Sequence, residues 1–339
     1  MVDEDTAYMR IDGGVFAAVL SPDFRSDKTC FAAGASGLFC SRDAGDTWKL
    51  ALDATEPGEE LSVLALALSP DYEHDGVLFA GMHGGVLRSW DGGESWAAKV
   101  LPPPMPTVSS IGISPVFPKD SILFAGTFED GVLRSSDGGL NFTSWNFGLL
   151  DSRILTLVVS PDFEVDDTVF VSSESGIFRS KNGGRSWREV DLPVSAVPAL
   201  SLAISPGFAD DGLLFGGTES SGSYKSSDAG ESWTSILDDR LSGPINCIAF
   251  SSGFLSDSSL FVATTQQIYV SEDCGVKWYE WAQVPDVMAL SVSPSSEGHP
   301  QVLAGTATGG VGWALHDAVE LRATTVSYTH LTLPTSDLV

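Results

Sequence analysis

Basic residues and long apolar runs are both scarce in this chain. Lys and Arg number 18 against 45 Asp and Glu, which gives a formal net charge of −27. Nucleic acids and anionic membranes are therefore poor partners, because binding them requires clustered cations that neutralise phosphates. No apolar run approaches the ~20 residues needed to span a bilayer. The sequence thus predicts neither nucleic-acid binding nor membrane insertion.

Cysteine and histidine are also few, and their spacing predicts no metal site. The chain has four cysteines and five histidines, and no cysteine has the spacing of a zinc ligand. Cys30 and Cys40 lie on consecutive predicted strands, where they could face each other or remain free thiols. No glycine-rich phosphate loop opens a helix and no Ser-His-Asp grouping can be defended. The sequence therefore predicts no cofactor.

The acidity and the first residues bear on location. Residues 1–5 have neither the basic flank nor the apolar core of a signal peptide. The excess of carboxylates suits an extracellular or salt-adapted protein that must stay soluble. The alternative is an acidic surface for a cationic partner or Ca²⁺. An extracellular or periplasmic location is the expectation.

What the chain does have is a repeat. Six copies of the pattern Ser-x-Asp-x-Gly-x-x-Trp, called the motif below, begin at Ser41, Ser89, Ser135, Ser180, Ser226 and Ser271. Successive copies are 45 to 48 residues apart, and a period of about 40 to 50 residues with strand-like content is typical of propeller blades. An apolar run ending in Ser-Pro recurs in phase seven times, with Ser251-Ser252 in the sixth place.

Each unit reads as four short strands separated by Gly, Pro, Asp and Ser turns, and no helical periodicity competes. The sequence therefore predicts an all-β fold, a seven-bladed β-propeller of four-stranded antiparallel blades. Cations precede the motif serine in four units, and they are expected to form ion pairs with loop Asp residues. These cations are Arg88, Arg134, Arg179 and Lys225.

The chemistry of a tight turn explains the motif. In Asp-x-Gly between two strands the glycine can take a positive φ, and the carboxylate can accept backbone N–H groups that the turn leaves unpaired. The Trp supplies apolar surface that packs the blade. The residues given this structural role are Asp43, Asp91, Asp137, Asn182, Asp228 and Asp273, with Trp48, Trp96, Trp187, Trp233 and Trp278; Phe142 replaces Trp in the third copy.

These repeats resemble the Asp-box repeats of bacterial neuraminidases, and their arrangement is similar to single propellers of the Asp-box superfamily. That superfamily includes sialidases, xyloglucan-degrading hydrolases, sortilin-type receptors and a photosystem assembly factor. The resemblance covers residues 14–315 and implies a propeller with Asp-box turns in six blades. Because enzymes and non-enzymes share the motif, it implies little about activity.

Both ends are expected to differ from the repeat. In the seventh unit the motif has decayed, with His316 at the Asp position and Leu321 at the Trp position. Residues 14–324 are predicted to form one propeller, and residues 1–13 could supply its closing strand; residues 6–11 are favoured over 317–324 as the outer strand. Residues 325–339 resemble a translated sequencing adaptor and are expected to be non-native, the gene having been cut there.

Function is expected on the face that carries the hairpin tips and the blade-to-blade connections, because this face varies between units. A sialidase-like site would need three converging Arg, a Tyr nucleophile with its Glu, and an Asp acid. This face offers only two arginines and no such Tyr, and its carboxylates are expected to be solvated charges. The candidate binding residues are His83, Phe128, Glu129, Asp130, Arg153, Glu174, Glu219 and Arg240; no residue is assigned to catalysis.

The sequence thus predicts a monomeric, non-enzymatic binding or scaffold module for a protein or a glycan. The alternative is a glycoside hydrolase fragment, sialidase-like or xyloglucanase-like, that lacks its partner domain. A second propeller in the same gene would favour the hydrolase.

Overall fold

The computed structural model describes residues 9–10, 13–52, 61–193, 196–293, 300–308, 310–315 and 318–326. Within them the chain forms a β-propeller, in which six sheets have four antiparallel strands each, ordered from inside to outside as they follow in the chain. The first strand of each sheet contacts the first strands of its two neighbours, so these strands form the innermost ring. No helix among the described residues has the length and apolarity to cross a membrane.

After the short N-terminal strand β1 (Met9–Arg10), the strands fall into four groups by their place in the sheets. The innermost strands are β2 (Val15–Leu20), β6 (Val63–Leu68), β10 (Val108–Ile113), β14 (Ile154–Val159), β18 (Ala199–Ile204), β22 (Ile245–Phe250) and β26 (Val287–Val292). The second strands are β3 (Cys30–Gly34), β7 (Leu78–Met82), β11 (Leu123–Thr127), β15 (Val169–Ser173), β19 (Leu214–Thr218), β23 (Leu260–Thr264) and β27 (Val302–Thr306).

The third strands lead into the motif copies. They are β4 (Gly37–Ser41), β8 (Gly85–Ser89), β12 (Val132–Ser135), β16 (Ile177–Ser180), β20 (Ser223–Ser226), β24 (Ile268–Ser271) and β28 (Val311–Leu315). The fourth strands are β5 (Lys49–Leu52), β9 (Ala97–Val100), β13 (Thr143–Ser144), β17 (Arg188–Glu189), β21 (Thr234–Ser235), β25 (Tyr279–Ala282) and β29 (Ala318–Val326). Blades 1 to 6 begin with β2, β6, β10, β14, β18 and β22.

The prediction of seven four-stranded blades is wrong. The structure has six such blades, and the remaining sheet is five-stranded, in the order β1-β29-β28-β27-β26. Its fourth strand is nine residues long, whereas the outer strands of the blades have two to four. A long outer strand exposes unpaired N–H and C=O groups, and β1 covers part of that edge by pairing Met9 with Val326 and Arg10 with Thr325.

The favoured assignment of residues 6–11 as the outer strand next to β28 is also wrong. That place belongs to β29, in which Thr324 pairs with Val311, and β1 lies one strand further out. Residues 1–8, 11–12, 316–317 and 327–339 lie outside the described residues, so the decayed motif at His316 and the adaptor-like tail stay predictions. Thr325 and Val326, the first two residues of that tail, belong to β29.

A one-turn helix, not expected from the sequence, follows the serine of the Ser-Pro marker in every blade. In blade 2 the Ser69 hydroxyl donates to Asp75 at 2.6 Å, and the other carboxylate oxygen of Asp75 accepts the Val77 N–H at 2.8 Å. These bonds close the turn on itself. The helices are α1 (Phe24–Asp27), α2 (Tyr72–Asp75), α3 (Phe117–Asp120), α4 (Phe163–Asp166), α5 (Phe208–Asp211) and α6 (Phe254–Asp257).

Aromatic contacts join one blade to the next. The second strand of each blade carries a fully buried Phe, and in blade 2 the ring of Phe79 meets the ring of Phe117 in blade 3 edge to face, with centroids 5.7 Å apart. The same Phe79 ring also packs on the motif of blade 3, where a Cβ on Gly139 would lie 2.7 Å from it. Gly139 has a φ of 87°, so glycine is required there for backbone conformation and for space.

The cations before the motif serine also reach the next blade, but not as predicted. Arg88 donates to the Gly138 carbonyl at 2.7 Å, Arg179 to the Ala229 carbonyl at 2.7 Å, and Lys225 to the Cys274 carbonyl at 2.8 Å. All three acceptors are motif carbonyls of the following blade. The expected ion pairs with loop Asp residues are therefore wrong for these three, because a turn carbonyl lies within reach of each cation.

The cysteines are free thiols in the structure. Cys30 pairs with Ser41 and Cys40 pairs with Phe31 across strands β3 and β4. Since neighbouring residues in a strand point to opposite faces, the two thiols lie on opposite sides of the sheet and cannot face each other. Burial raises the pKa of Cys40 to about 11, which keeps this thiol protonated and unreactive at neutral pH.

Candidate functional site

The two faces of the propeller have different chemistry. Because the strands alternate in direction, the one-turn helices and the motif turns emerge on one face, called the motif face. The hairpins between second and third strands and the connections between blades emerge on the other, called the variable face. Bonds on the motif face repeat in every blade, whereas contacts on the variable face differ from blade to blade.

One motif copy shows the pattern of the motif face. In blade 2 the buried Ser89 hydroxyl donates to Asp91 at 2.8 Å and accepts the Gly93 N–H at 2.9 Å, and the Asp91 carboxylate accepts the Ser95 N–H at 2.9 Å. Hydrogen bonds from Ser95, then from Ser89, lower the pKa of Asp91 to about 2. In the other copies the residue at the Asp91 position also accepts the backbone N–H four residues later. These residues are Asp43, Asp137, Asn182, Asp228 and Asp273.

The motif aromatics lie between blades rather than on a surface. Trp278 is 1% exposed and belongs to a core cluster with Ala203 and Phe215 of the preceding blade. Trp48 packs with Ala289 and Leu303 of the five-stranded sheet. Trp187 and Trp233 are buried and Trp96 is partly buried. These side chains are placed to hold blades together.

On the variable face, contacts link blade 2 to blade 3. The His83 ring nitrogen Nδ1 lies 2.9 Å from the Thr107 hydroxyl, and these two residues also form an isolated β-bridge. The Thr107 N–H donates to Glu129 at 2.6 Å, and the Thr107 carbonyl accepts the Phe128 N–H at 3.0 Å. Two hairpin tips are therefore joined through the connection that precedes β10.

The same contacts continue from blade 3 to blade 4. The Arg153 guanidinium lies 5.5 Å from the centre of the Phe128 ring and forms an ion pair with Glu174 at 3.0 Å. Asp151 supports this arrangement by accepting the Arg153 N–H at 3.0 Å and the Ser175 N–H at 3.1 Å. The structure thus brings five of the predicted residues into one series of contacts, called the arc: His83, Phe128, Glu129, Arg153 and Glu174.

Burial and hydrogen bonds act in opposite directions on the pKa of Asp151. Burial raises its pKa, but hydrogen bonds from the Arg153 backbone and from Ser173 and Ser175 lower it by more, so the pKa lies below its usual range. The anion is therefore favoured. Asp151 holds the connection in place as a hydrogen-bond acceptor.

Three predicted residues lie apart from the arc. Asp130 accepts the Ser144 hydroxyl at 3.0 Å within its own blade. Glu219 is exposed, and its N–H donates to the Pro198 carbonyl. Arg240 forms a two-bond pair with Asp238, at 2.8 and 2.7 Å, which lowers the pKa of Asp238. The repeat pattern places all three on the variable face but does not show which hairpin tips are in contact.

The sequence did not predict the residues that connect the members of the arc to one another. Thr107 acts through its backbone and hydroxyl, and a single Thr after a Pro-rich connection carries no recognisable signal. Nor did the sequence predict the β-bulge in each innermost strand, where one residue has no pairing partner on the second strand. The bulge residues are Phe16, Leu64, Ser109, Leu155, Leu200, Asn246 and Met288.

The bulges make further links between sheets. The two polar bulge residues bond the first carbonyl of the next innermost strand: Ser109 donates to Ile154 at 2.7 Å, and Asn246 donates to Val287 at 3.0 Å. Met288 is 41% exposed.

The described residues contain no group of three or more His, Cys, Asp or Glu placed to hold a metal ion.

Comparison with known proteins bears on the fold alone. No protein-family model and no curated protein matches the chain. A GH74 enzyme from Niastella koreensis superposes over 94% of this chain and 54% of its own, with a TM-score of 0.71 and 18% identity. The fold is a β-propeller.

Two further structures agree. A GH74 xyloglucanase from Xanthomonas campestris covers 91% of this chain and 52% of its own, with a TM-score of 0.67 and 16% identity. YCF48, in a structure bound to D1 peptide, covers 93% and 96%, with a TM-score of 0.64 and 14% identity. The chain therefore spans about half the length of the two GH74 structures and nearly all of YCF48.

Proposed function

We propose that this propeller is a non-catalytic binding module whose protein or glycan ligand contacts the arc on the variable face. The observation that carries the proposal is the position of Arg153, which joins the ring of Phe128 and the carboxylate of Glu174 across two blades. An aromatic face, a guanidinium and carboxylates side by side offer both stacking and hydrogen bonds to a ligand. Rigid blades hold these groups, which lowers the entropic cost of binding.

The hydrogen bonds of the arc carboxylates support binding rather than hydrolysis. Glu129 accepts the Thr107 N–H, and Glu174 is paired with Arg153. A retaining or inverting glycosidase needs a carboxylic acid with a raised pKa beside a second carboxylate. Asp151 and Asp238 have lowered pKa values instead, so neither is suited to donate a proton at neutral pH.

The second candidate is a glycoside hydrolase fragment. It is favoured by the likeness to two GH74 structures of which the chain covers 54% and 52%. In that case the catalytic carboxylates would act in a cleft shared with a further domain. The exposed Glu174 would then be a candidate catalytic carboxylate, since its side chain is 57% exposed at a hairpin tip.

The two candidates are separated by binding and turnover measured on the same variants. We expect Arg153→Ala to abolish binding of a neutral glycan or a peptide found on arrays, while Arg240→Ala, outside the arc, leaves it unchanged. We expect no turnover of sialoside, xyloglucan or aryl-glycoside substrates. Turnover that disappears in Glu174→Gln would establish the hydrolase. Equal binding by the two arginine variants would show that the arc is not the ligand site.

A further inference from the structure

Positive charge is concentrated in one place on this acidic protein. Residues 179–188, around the motif of blade 4, contain four of the chain's 18 Lys and Arg residues: Arg179, Lys181, Arg185 and Arg188. The same motif copy carries Asn182 where the five others have Asp. Blade 4 is therefore more cationic at its motif than the other blades.

Three of these cations line one cleft at the outer rim of blade 4. The cleft has a volume of about 420 Å³ and is lined by Arg179, Lys181, Asn182 and Arg188, with Phe147, Ser186 and Trp187. No carboxylate lines it. Glu189, next in the chain to Arg188, lines a separate cleft with Gly176, as the alternation of side chains along a strand requires.

The cross-strand pairing places two like charges opposite each other in the cleft. Arg179 and Arg188 lie directly opposite each other on β16 and β17, and like charges in such a pair destabilise a sheet. Arg179 and Lys181 share Glu231 of the next blade, at 2.7 and 3.2 Å. Arg188 has no salt bridge within the described part of the chain. An anion between the two arginines would relieve their repulsion.

An aromatic ring stands at the same cleft, and the turn that carries it is fixed. Phe147 is 80% exposed, yet its carbonyl accepts the Trp187 N–H at 2.8 Å. The next residue, Gly148, has a φ of 83°, and a Cβ there would lie 2.3 Å from the Trp187 carbonyl oxygen. The turn is thus held against the backbone of Trp187, which lowers the cost of ordering the segment that presents the ring.

A cleft at the equivalent place between blades 1 and 2 shows how the charge of the blade-4 cleft differs. It is lined by Arg42 and Lys49 but also by Asp43 and Glu94, so its formal charges cancel. Lys49 occupies the place of Arg188, directly after the motif Trp, and it lies opposite the neutral Cys40. The same architecture is therefore neutral in one blade and cationic in another.

We infer that the cleft formed by Phe147, Arg179, Lys181 and Arg188 binds a carboxylated sugar of an acidic polysaccharide. The guanidinium of Arg188 can match a carboxylate in two-bond geometry, and the ring of Phe147 offers a face for stacking on a sugar. An acidic peptide added as a strand would need a longer edge than the two residues of β17. The remaining acidic surface matters little beyond the screening length of about 8 Å at physiological salt. The site shares no residue with the arc.

Titration calorimetry with a short oligogalacturonate tests this site. We expect Arg188→Glu to weaken binding by at least about tenfold, because a charge-assisted pair becomes a repulsion, and Phe147→Ala to weaken it severalfold. Lys49→Glu makes the same change of charge at the cleft between blades 1 and 2 and should leave the affinity within about twofold. Added NaCl should weaken binding to the unaltered protein.

Several outcomes would overturn the inference. The first is no binding of oligogalacturonate to the unaltered protein, and the second is an equal loss in Lys49→Glu and Arg188→Glu, which would indicate general attraction only. Equal affinity for polyglutamate would assign the cleft to acidic peptides, and equal affinity for a neutral oligosaccharide would remove the role of the cations. Arg153→Ala leaves this cleft intact, so failure of the arc proposal would not affect the result.

Discussion

The motif face and the variable face are built on the same strands yet obey different constraints. On the motif face each turn must satisfy backbone N–H groups and meet the next blade, and the same Ser, Asp or Asn, Gly and aromatic residues return each time. On the variable face the hairpin tips meet no such demand, and each pair of blades makes its own contacts. Repetition therefore marks the bonds between blades, whereas the variable face is where we propose that the arc binds a ligand.

The largest effect expected from this comparison concerns the two aromatic residues, Trp278 and Phe128. Trp278→Ala should destabilise the fold by about 3–5 kcal/mol, because it opens a cavity between two blades, whereas Phe128→Ala on the variable face should cost much less. The Trp278 indole N–H has no hydrogen-bond partner among the described residues, so Trp278→Phe should recover most of the loss. Urea unfolding measures all three; equal destabilisation by the two alanine variants would contradict the contrast.

The next effect concerns the motif serine. Ser89→Ala should destabilise the protein by about 1–3 kcal/mol, because the buried Gly93 N–H and the Asp91 carboxylate both lose a partner. Ser175→Ala on the variable face removes an exposed hydroxyl and should change stability by no more than about 0.5 kcal/mol. The melting temperatures of both variants test this difference. An unchanged melting temperature in Ser89→Ala would mean that water replaces the hydroxyl.

A smaller effect is expected from pH. The pKa of Asp91 and of Asp228 is lowered from the ordinary 3.8 to about 2 in the folded protein. The stabilisation by these anions is therefore present above about pH 4 and is lost as the pH falls from about 4 towards 2. Asp91→Asn should reduce the fall of the melting temperature over that interval, as Asn182 already fills the same position. An unchanged acid profile would show that the turn does not depend on the anion.

The smallest effect is expected for the arc itself. The Arg153 and Glu174 side chains are 54% and 57% exposed, and exposed ion pairs contribute about 0–1 kcal/mol. Arg153→Ala should therefore leave the unfolding midpoint nearly unchanged while it removes ligand binding. Strong destabilisation by this variant would assign the arc to the same structural role as the motif face.

The sequence predicted well what depends on local chemistry. A turn with Asp and Gly between apolar runs specifies a hairpin wherever it stands, and the strands around Val108 or Ile245 follow from their apolar runs. Contacts between units depend on relative position, which a period does not give; Arg88 was therefore assigned to the wrong partner. The closing sheet could not be derived because its motif has decayed, and the link through Thr107 uses the backbone, which every residue possesses.

The reach of Arg88 and Arg179 into the following blade also bears on how such proteins can be recombined. Each of these side chains and its acceptor carbonyl are about 50 positions apart, more than one repeat, so the smallest exchangeable module is a junction rather than a blade. A transplanted blade would arrive with a donor suited to its former neighbour and a turn suited to its former predecessor. Chimaeras cut in the middle of a blade, which keep each junction whole, should consequently fold more often than chimaeras cut between blades.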